Sequence, residues 1–369
     1  MHRILLILAA VMCVAKVDAQ EIGAKQMKAL AKADAAIEHP QKSLKGETWL
    51  KHGEVYVEAY VKAHNIEHAK SAEGSLSKAI SIDSSLENSV VEHLTTLIDE
   101  LVKESQRLNK EGKYCEAAEC SEMAYRTLST TSAHQLKSEA PSILAEAGTL
   151  YLVAAEGDNR DELLSKAESI LTEAIEAGYK DNGGIYLNLF NCYYNHRFTD
   201  RERYLELAKQ TLHKGVELYP TNHLIIARLI ELYHVEKGIG KLSDLCSIVN
   251  RSVEMSPNNA ELWRNRGLLY GEIQNYDEAI ASYSKYAELA PDSFEANYGT
   301  ACFIITKANK LIEELNKRIL NPYIDYNAEV AKIDKIYAEA LPYMERAHEL
   351  NPHDKATSDD LSALRERLK

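Results

Sequence analysis

The chain has 369 residues, 45% of them hydrophobic, and its 56 acidic against 43 basic side chains give a formal charge of −13. An acidic protein without a basic cluster repels phosphate backbones, which argues against nucleic acid as a partner. Its six cysteines are irregularly spaced and make no disulfide framework, so they read as small apolar residues.

The first residues carry a charged tip, His2-Arg3, an apolar run over 4–15, and Val17-Asp18-Ala19 before Gln20. That is the pattern of a secretory signal cleaved after Ala19, and the run is too short to span a bilayer. Residues 1–19 are therefore expected to be a signal peptide, with the mature protein exported to the periplasm. A lipid anchor through Cys13 is the alternative, but Met12 stands where such signals carry Gly, Ala or Ser. No other stretch is apolar enough for a transmembrane segment.

Residues 20–45 hold one amphipathic helix, 24–38, closed by His39-Pro40 and expected to cap the helices after it. Trp49, Gly53 and Tyr56 then fall at i, i+4 and i+7, one face of a helix, and Ala72, Leu76 and Ala79 mark the next one. A long helix over about 86–109 is followed at Gly112-Lys113-Tyr114 by a partner bearing Ala117, Ser121 and Ala124. Leu144, Gly148 and Tyr151 pair with Ala167, Leu171 and Ala174. Tyr186, Leu189 and Tyr193 pair with Ala208, Leu212 and Gly215. Phe190 replaces a small residue there, so wider packing is expected. Leu229 and Tyr233 precede Leu245 and Val249, over about 223–257.

The clearest unit is 260–293. Trp263, Gly267 and Tyr270 share one face, Asn275-Tyr276-Asp277 makes a turn, and Ala279, Tyr283 and Tyr286 mark a second helix that Pro291 stops. In the last unit, about thirty extra residues over 307–337 keep helical spacing on both sides of Pro322, so both flanking helices are expected to run past their normal ends. A final polar helix, 359–368, is expected to be capped by Thr357 or Ser358, making 353–369 a C-terminal cap. No strand or hairpin pattern occurs.

Trp, Gly, Tyr, Ala, aromatic and Pro at these spacings resemble the tetratricopeptide repeat, with Arg266 where the family has Leu and Tyr286 where it has Ala. The resemblance covers most of 46–352. It implies an all-α fold, one continuous right-handed superhelical solenoid of about seven antiparallel helix pairs, in which each pair seals its neighbour's apolar face. Trp49, Gly53, Tyr56, Gly148, Tyr151, Trp263, Gly267, Tyr270, Ala279, Tyr283 and Pro291 are the repeat-packing positions. Such repeats bind through residues of their first helices, here Asn191, Tyr194, Arg264, Leu268 and Tyr298, with Cys302 beside them. The whole-chain layout resembles secreted repeat proteins of Bacteroidetes, which implies residence in the periplasm without assigning a biochemical activity.

His64-Asn65-Ile66-Glu67-His68 matches H-x-x-E-H, the signature of inverted zinc metallopeptidases. On one helix His64 and His68 would share a face, Glu67 would activate water, and Glu146 would be the third ligand. Those enzymes need strands, and this motif falls at the turn of a helix pair, so no catalytic, metal or cofactor site is expected. The function expected is a non-enzymatic scaffold of the cell envelope that binds a protein or peptide partner. A glycan-binding module of a nutrient-uptake system is the other alternative. Its known examples carry additional Trp-bearing segments, whereas both Trp here sit on repeat positions.

Overall fold

A computed structural model of the chain describes residues 22–130, 138–156, 159–318 and 325–369. The expected signal peptide, Cys13 and Pro322 lie outside the described residues. Among those described there are sixteen α-helices and no strand. The chain divides into two compact units between Asp181 and Asn182, where the repeat pattern alone reads as one continuous run.

Helices start where short polar side chains can satisfy backbone N–H groups that have no partner within the helix. Asn65, Asp200, Asn222, Asn259, Asn275, Ser293, Asp325 and Asp354 each accept a hydrogen bond from the first turn of the adjoining helix. This is why a chain low in Gly and Pro still breaks into short helices.

The first unit holds α1 (Ala24–Glu38), α2 (Gly46–Ala63), α3 (Ile66–Ile82), α4 (Glu87–Lys110), α5 (Tyr114–Thr130), α6 (Ala140–Ala154) and α7 (Arg160–Glu176). The hairpins α2/α3, α4/α5 and α6/α7 pack in succession, α3 against both α4 and α5, and α5 against α6. Leu76, Leu94, Leu97, Leu101, Leu128, Leu144 and Leu171 are fully buried between them. Each such side chain contributes about 1.5–3 kcal/mol through removal from water. The expected cap α1 lies on α2, with Leu30 and Ala33 against Val55 and Ala59.

The second unit holds α8 (Gly184–His196), α9 (Arg201–Leu218), α10 (His223–Val235), a 3-10 turn (Leu242–Leu245), α11 (Cys246–Met255), α12 (Ala260–Glu272), α13 (Tyr276–Leu289), α14 (Phe294–Asn316), α15 (Tyr326–Leu350) and α16 (Lys355–Arg367). Here α8/α9, α12/α13 and α14/α15 are hairpins, α10 packs on α9 and α12, and α11 packs on α12. The helices α14 and α15 are long, at 23 and 25 residues. Ala308, Leu315, Ile333 and Tyr337 extend their shared core.

One expectation needs correction. The last helix begins at Lys355 and its cap is Asp354, not Thr357 or Ser358. Asp354 Oδ2 accepts from both the Thr357 backbone N–H (2.8 Å) and its hydroxyl (2.6 Å), and Thr357 is fully buried. A carboxylate placed three residues earlier is the better acceptor at a helix N-terminus.

Candidate functional site

The repeat at 260–293 shows how the first helices are set. Asn259 caps α12, and the Trp263 indole N–H donates to the Pro257 carbonyl six residues back (2.8 Å). Trp49 does the same to Ser43 (2.9 Å), so both Trp positions pin the chain entering a first helix. A Cβ on Gly267 of α12, or on Gly299 of α14, would stand only 2.3 Å from a ring carbon of Tyr283. Tyr283 is thus buried and wedged between two consecutive first helices, and the two glycines set the spacing around it. Arg266 replaces a leucine by having its charge bonded within the packing: its Nε donates to Asn250 (2.8 Å), it pairs with Glu278 (2.5 Å), and it lies 4.7 Å over the Tyr270 ring. Tyr286 meets Tyr283 edge-on at 5.7 Å.

At α8 the small residue is replaced by Phe190, which is buried and stacks on Tyr194 at 5.3 Å. The close approach passes to Gly215 on α9, where a Cβ would stand 3.2 Å from both Tyr186 and Ile225. Between α8 and α10 a cavity of about 350 Å³ remains, lined by Leu187, Asn188, Asn191, Leu224, Ala227, Arg228 and Glu231. This lies at the lower end of the ~300–1,000 Å³ range of ligand clefts, room for one or two side chains of a partner. Leu224 is 56% exposed. Arg228 pairs with Glu231 at 2.6 Å, and its guanidinium carbon lies 5.9 Å over Phe190. Asn191 is half-buried, and its amide has no partner among the described residues.

Beyond the cavity, the Tyr194 hydroxyl donates to buried Glu236 (2.9 Å), which also pairs with Arg201 (2.6 Å). Burial, and then this bond to Glu236, push the Tyr194 phenol above its ordinary value. The guanidinium of Arg197 lies 3.7 Å over the Tyr194 ring and 4.2 Å over that of exposed Phe198.

The other first-helix candidates are not brought to this cavity. Burial alone would lower the Arg264 guanidinium, but its bond to Glu295 (2.6 Å) and the charge of that carboxylate hold it above its ordinary value. Leu268, like Trp263, packs against the cluster of Tyr283, Tyr286, Ala287 and Ala296. Tyr298 stacks on Phe294 at 5.4 Å, and its hydroxyl donates to Asp360 of α16 at 3.0 Å. Burial raises both this phenol and the neighbouring Cys302 thiol. Pattern reading missed Leu187, Asn188, Leu224, Ala227, Arg228 and Glu231 as one lining. The signal available was the pairing of two first helices, 184–196 and 223–235.

The zinc geometry does not form. His64 closes α2 in a left-handed conformation (φ 50°), so it and His68 lie on different helices. His64 faces Glu104 at 3.5 Å, and Glu67 pairs with Lys70 at 2.7 Å. Among the described residues no group of three His, Cys, Asp or Glu side chains is placed to hold a metal ion. Burial raises the Glu146 carboxyl. No helix among them is long and apolar enough to cross a membrane.

Two further polar clusters hold packing positions. Tyr151, buried between α5 and α7, donates to Glu122 (2.8 Å) and accepts from Lys166 (2.7 Å). Burial alone would raise Glu122, but Lys166 and Tyr151 bond to it and bring it below its ordinary value. His52 sits between Ser75 (Nδ1, 2.8 Å) and Asp34 of α1 (Nε2, 3.1 Å), and Tyr56 donates to the same Asp34 oxygen (2.8 Å). Burial holds the His52 imidazole below its ordinary value, outweighing Asp34. Ser75 is itself buried, so this Ser-His-Asp row has no substrate access and works as a clasp for α1.

Residues 260–293 match the family described as Tetratricopeptide repeat. No curated protein sequence matches the chain. Among solved structures, the chain is similar to a tetratricopeptide repeat protein of Parabacteroides merdae (15% identity, 73% of this chain and 99% of that one, TM-score 0.39). It is also similar to a TPR repeats protein of Bacteroides fragilis (14%, 73% and 98%, TM-score 0.34). A third is YrrB, described as a TPR protein with an unusual peptide-binding site (18%, 60% and 95%, TM-score 0.34). Residues 260–293 are a tetratricopeptide repeat, carried by a chain whose described secondary structure is helical, without a strand.

Proposed function

We propose that this protein is a non-enzymatic scaffold that holds a segment of a protein or peptide partner between α8 and α10. The observation that carries this reading is the open cavity between two adjacent first helices, with exposed Leu224 beside the amide of Asn191, which is unpartnered among the described residues. An apolar anchor site flanked by polar groups is how such clefts gain affinity and orientation together. The repeat at 260–293 agrees in kind, since tetratricopeptide repeats bind protein or peptide partners. Export to the cell envelope belongs to the same proposal and rests on the signal-like residues 1–19.

A photoreactive residue at position 191 or 228 tests the groove in the native host. Protein adducts are expected at both positions, and none at 214 on the exposed side of α9. Adducts at 214 alone, or at none of the three, contradict the proposal. Export is tested by sequencing the mature N-terminus: a periplasmic chain beginning at Gln20 is expected, and an intact chain in the cytoplasm would refute it.

A further inference from the structure

The cavity between α8 and α10 differs in charge from the rest of the chain. Asp, Glu, Lys and Arg make up 27% of all residues, yet none of the 13 residues of α8 is one of them. The opposite wall contributes one charge of each sign, Arg228 and Glu231, and these close on each other at 2.6 Å. The lining therefore presents no uncompensated charge, in a protein that is acidic overall. A charged side chain entering here would meet no unpaired counter-ion, whereas an apolar one would gain by covering Leu187, Leu224 and Ala227.

The polar group left over is an amide. Asn191 offers one acceptor oxygen and two donor hydrogens in a plane, matching the exposed N–H and C=O of a non-helical main chain. Apolar surface lies beside it on Leu187, Leu224 and Ala227.

Resting on the peptide-groove reading above, we infer that the occupant is a non-helical peptide segment with no charged side chain, seated by one apolar residue on Leu187, Leu224 and Ala227 and bonded through its main chain to Asn191. Recognition at this point is by apolar contact and backbone hydrogen bonding. The acidity of the whole chain acts only outside it, against acidic flanks.

The test is selection of a displayed random peptide library on the full chain. The recovered peptides are then measured by fluorescence anisotropy at about 0.05 M and about 0.5 M NaCl, a range over which charge–charge attraction is largely screened away. The inference expects a shared uncharged run with one apolar anchor and Kd values constant within about twofold. Leu224→Asp is expected to weaken binding about tenfold or more, and Asn191→Ala by about three- to tenfold. Because Leu224 is exposed, circular dichroism of both variants should match the parent.

Peptides that share an acidic or basic run and weaken with salt, while still failing on Leu224→Asp, overturn the inference and leave the groove reading intact. Peptides indifferent to both variants, or an oligosaccharide displaced by neither peptide nor salt but lost on Asn191→Ala, overturn the groove reading itself.

Discussion

Tyr283 shows how single residues set this structure. Its ring occupies the space that a Cβ on Gly267 or Gly299 would need. Gly299→Ala or Gly267→Ala should therefore destabilise the chain by about 1–3 kcal/mol through overpacking, read from urea unfolding. Gly74 is the control: it is exposed within α3 and has nothing within 4 Å of its absent side chain. Gly74→Ala should stabilise by about 0.5–1 kcal/mol, because only the helix-propensity gain remains. The Gly-aromatic pairing was legible in the sequence at 260–293. What was not legible is where the groove candidates spend their polar groups. Tyr194, Arg264 and Tyr298 find Glu236, Glu295 and Asp360 at separations of 42, 31 and 62 residues. No single-helix pattern encodes such partners.

His52 carries a pH dependence whose sign is set by burial. Its folded value lies below the ordinary one of about 6.5, so the folded chain binds the proton less well than the unfolded chain. The groups facing it are Asp34 from α1, Tyr56 and Trp49 on its own helix, and Ser75 from α3. Its contribution to stability is present above about pH 6.5 and is lost as the pH falls below that value. Denaturation midpoints should decline from neutral pH into mildly acidic solution, and His52→Gln should flatten the decline. Half-buried His68 and His213 shift in the same direction, so some slope remains. A midpoint that rises on acidification would contradict the assignment.

At the scale of elements, helix ends were more legible than helix partners. Asn259, Asn275 and Ser293 announce their helices in sequence and cap them in the structure. The last helix was misplaced because Asp354, Thr357 and Ser358 are all good caps, and only burial separates them. Thr357 is fully enclosed, which leaves Asp354 as the terminal acceptor. Asp354→Ala should cost about 1 kcal/mol, whereas Ser358→Ala should change stability by less than about 0.5 kcal/mol. Thermal unfolding of both variants checks the pair, and a larger effect at Ser358 would move the cap there. The charge-free run of α8 was visible from the start. It acquires meaning only beside the self-paired α10, which is a tertiary fact.

For the whole molecule, amphipathic spacing was enough to give an all-helical chain built mostly of hairpins among the described residues, but not its division into two compact units. The site was legible only in part. Asn191 was named from its position on a first helix, while most of the surrounding lining comes from a second helix some thirty residues on. If the partner seats in the groove between α8 and α10, its footprint should be confined to those two helices. Amide hydrogen exchange over the full chain, with and without a peptide recovered by selection, tests it most directly. Slowed exchange confined to 184–196 and 223–235 is expected. Protection centred on other helices, with these two unchanged, would contradict it.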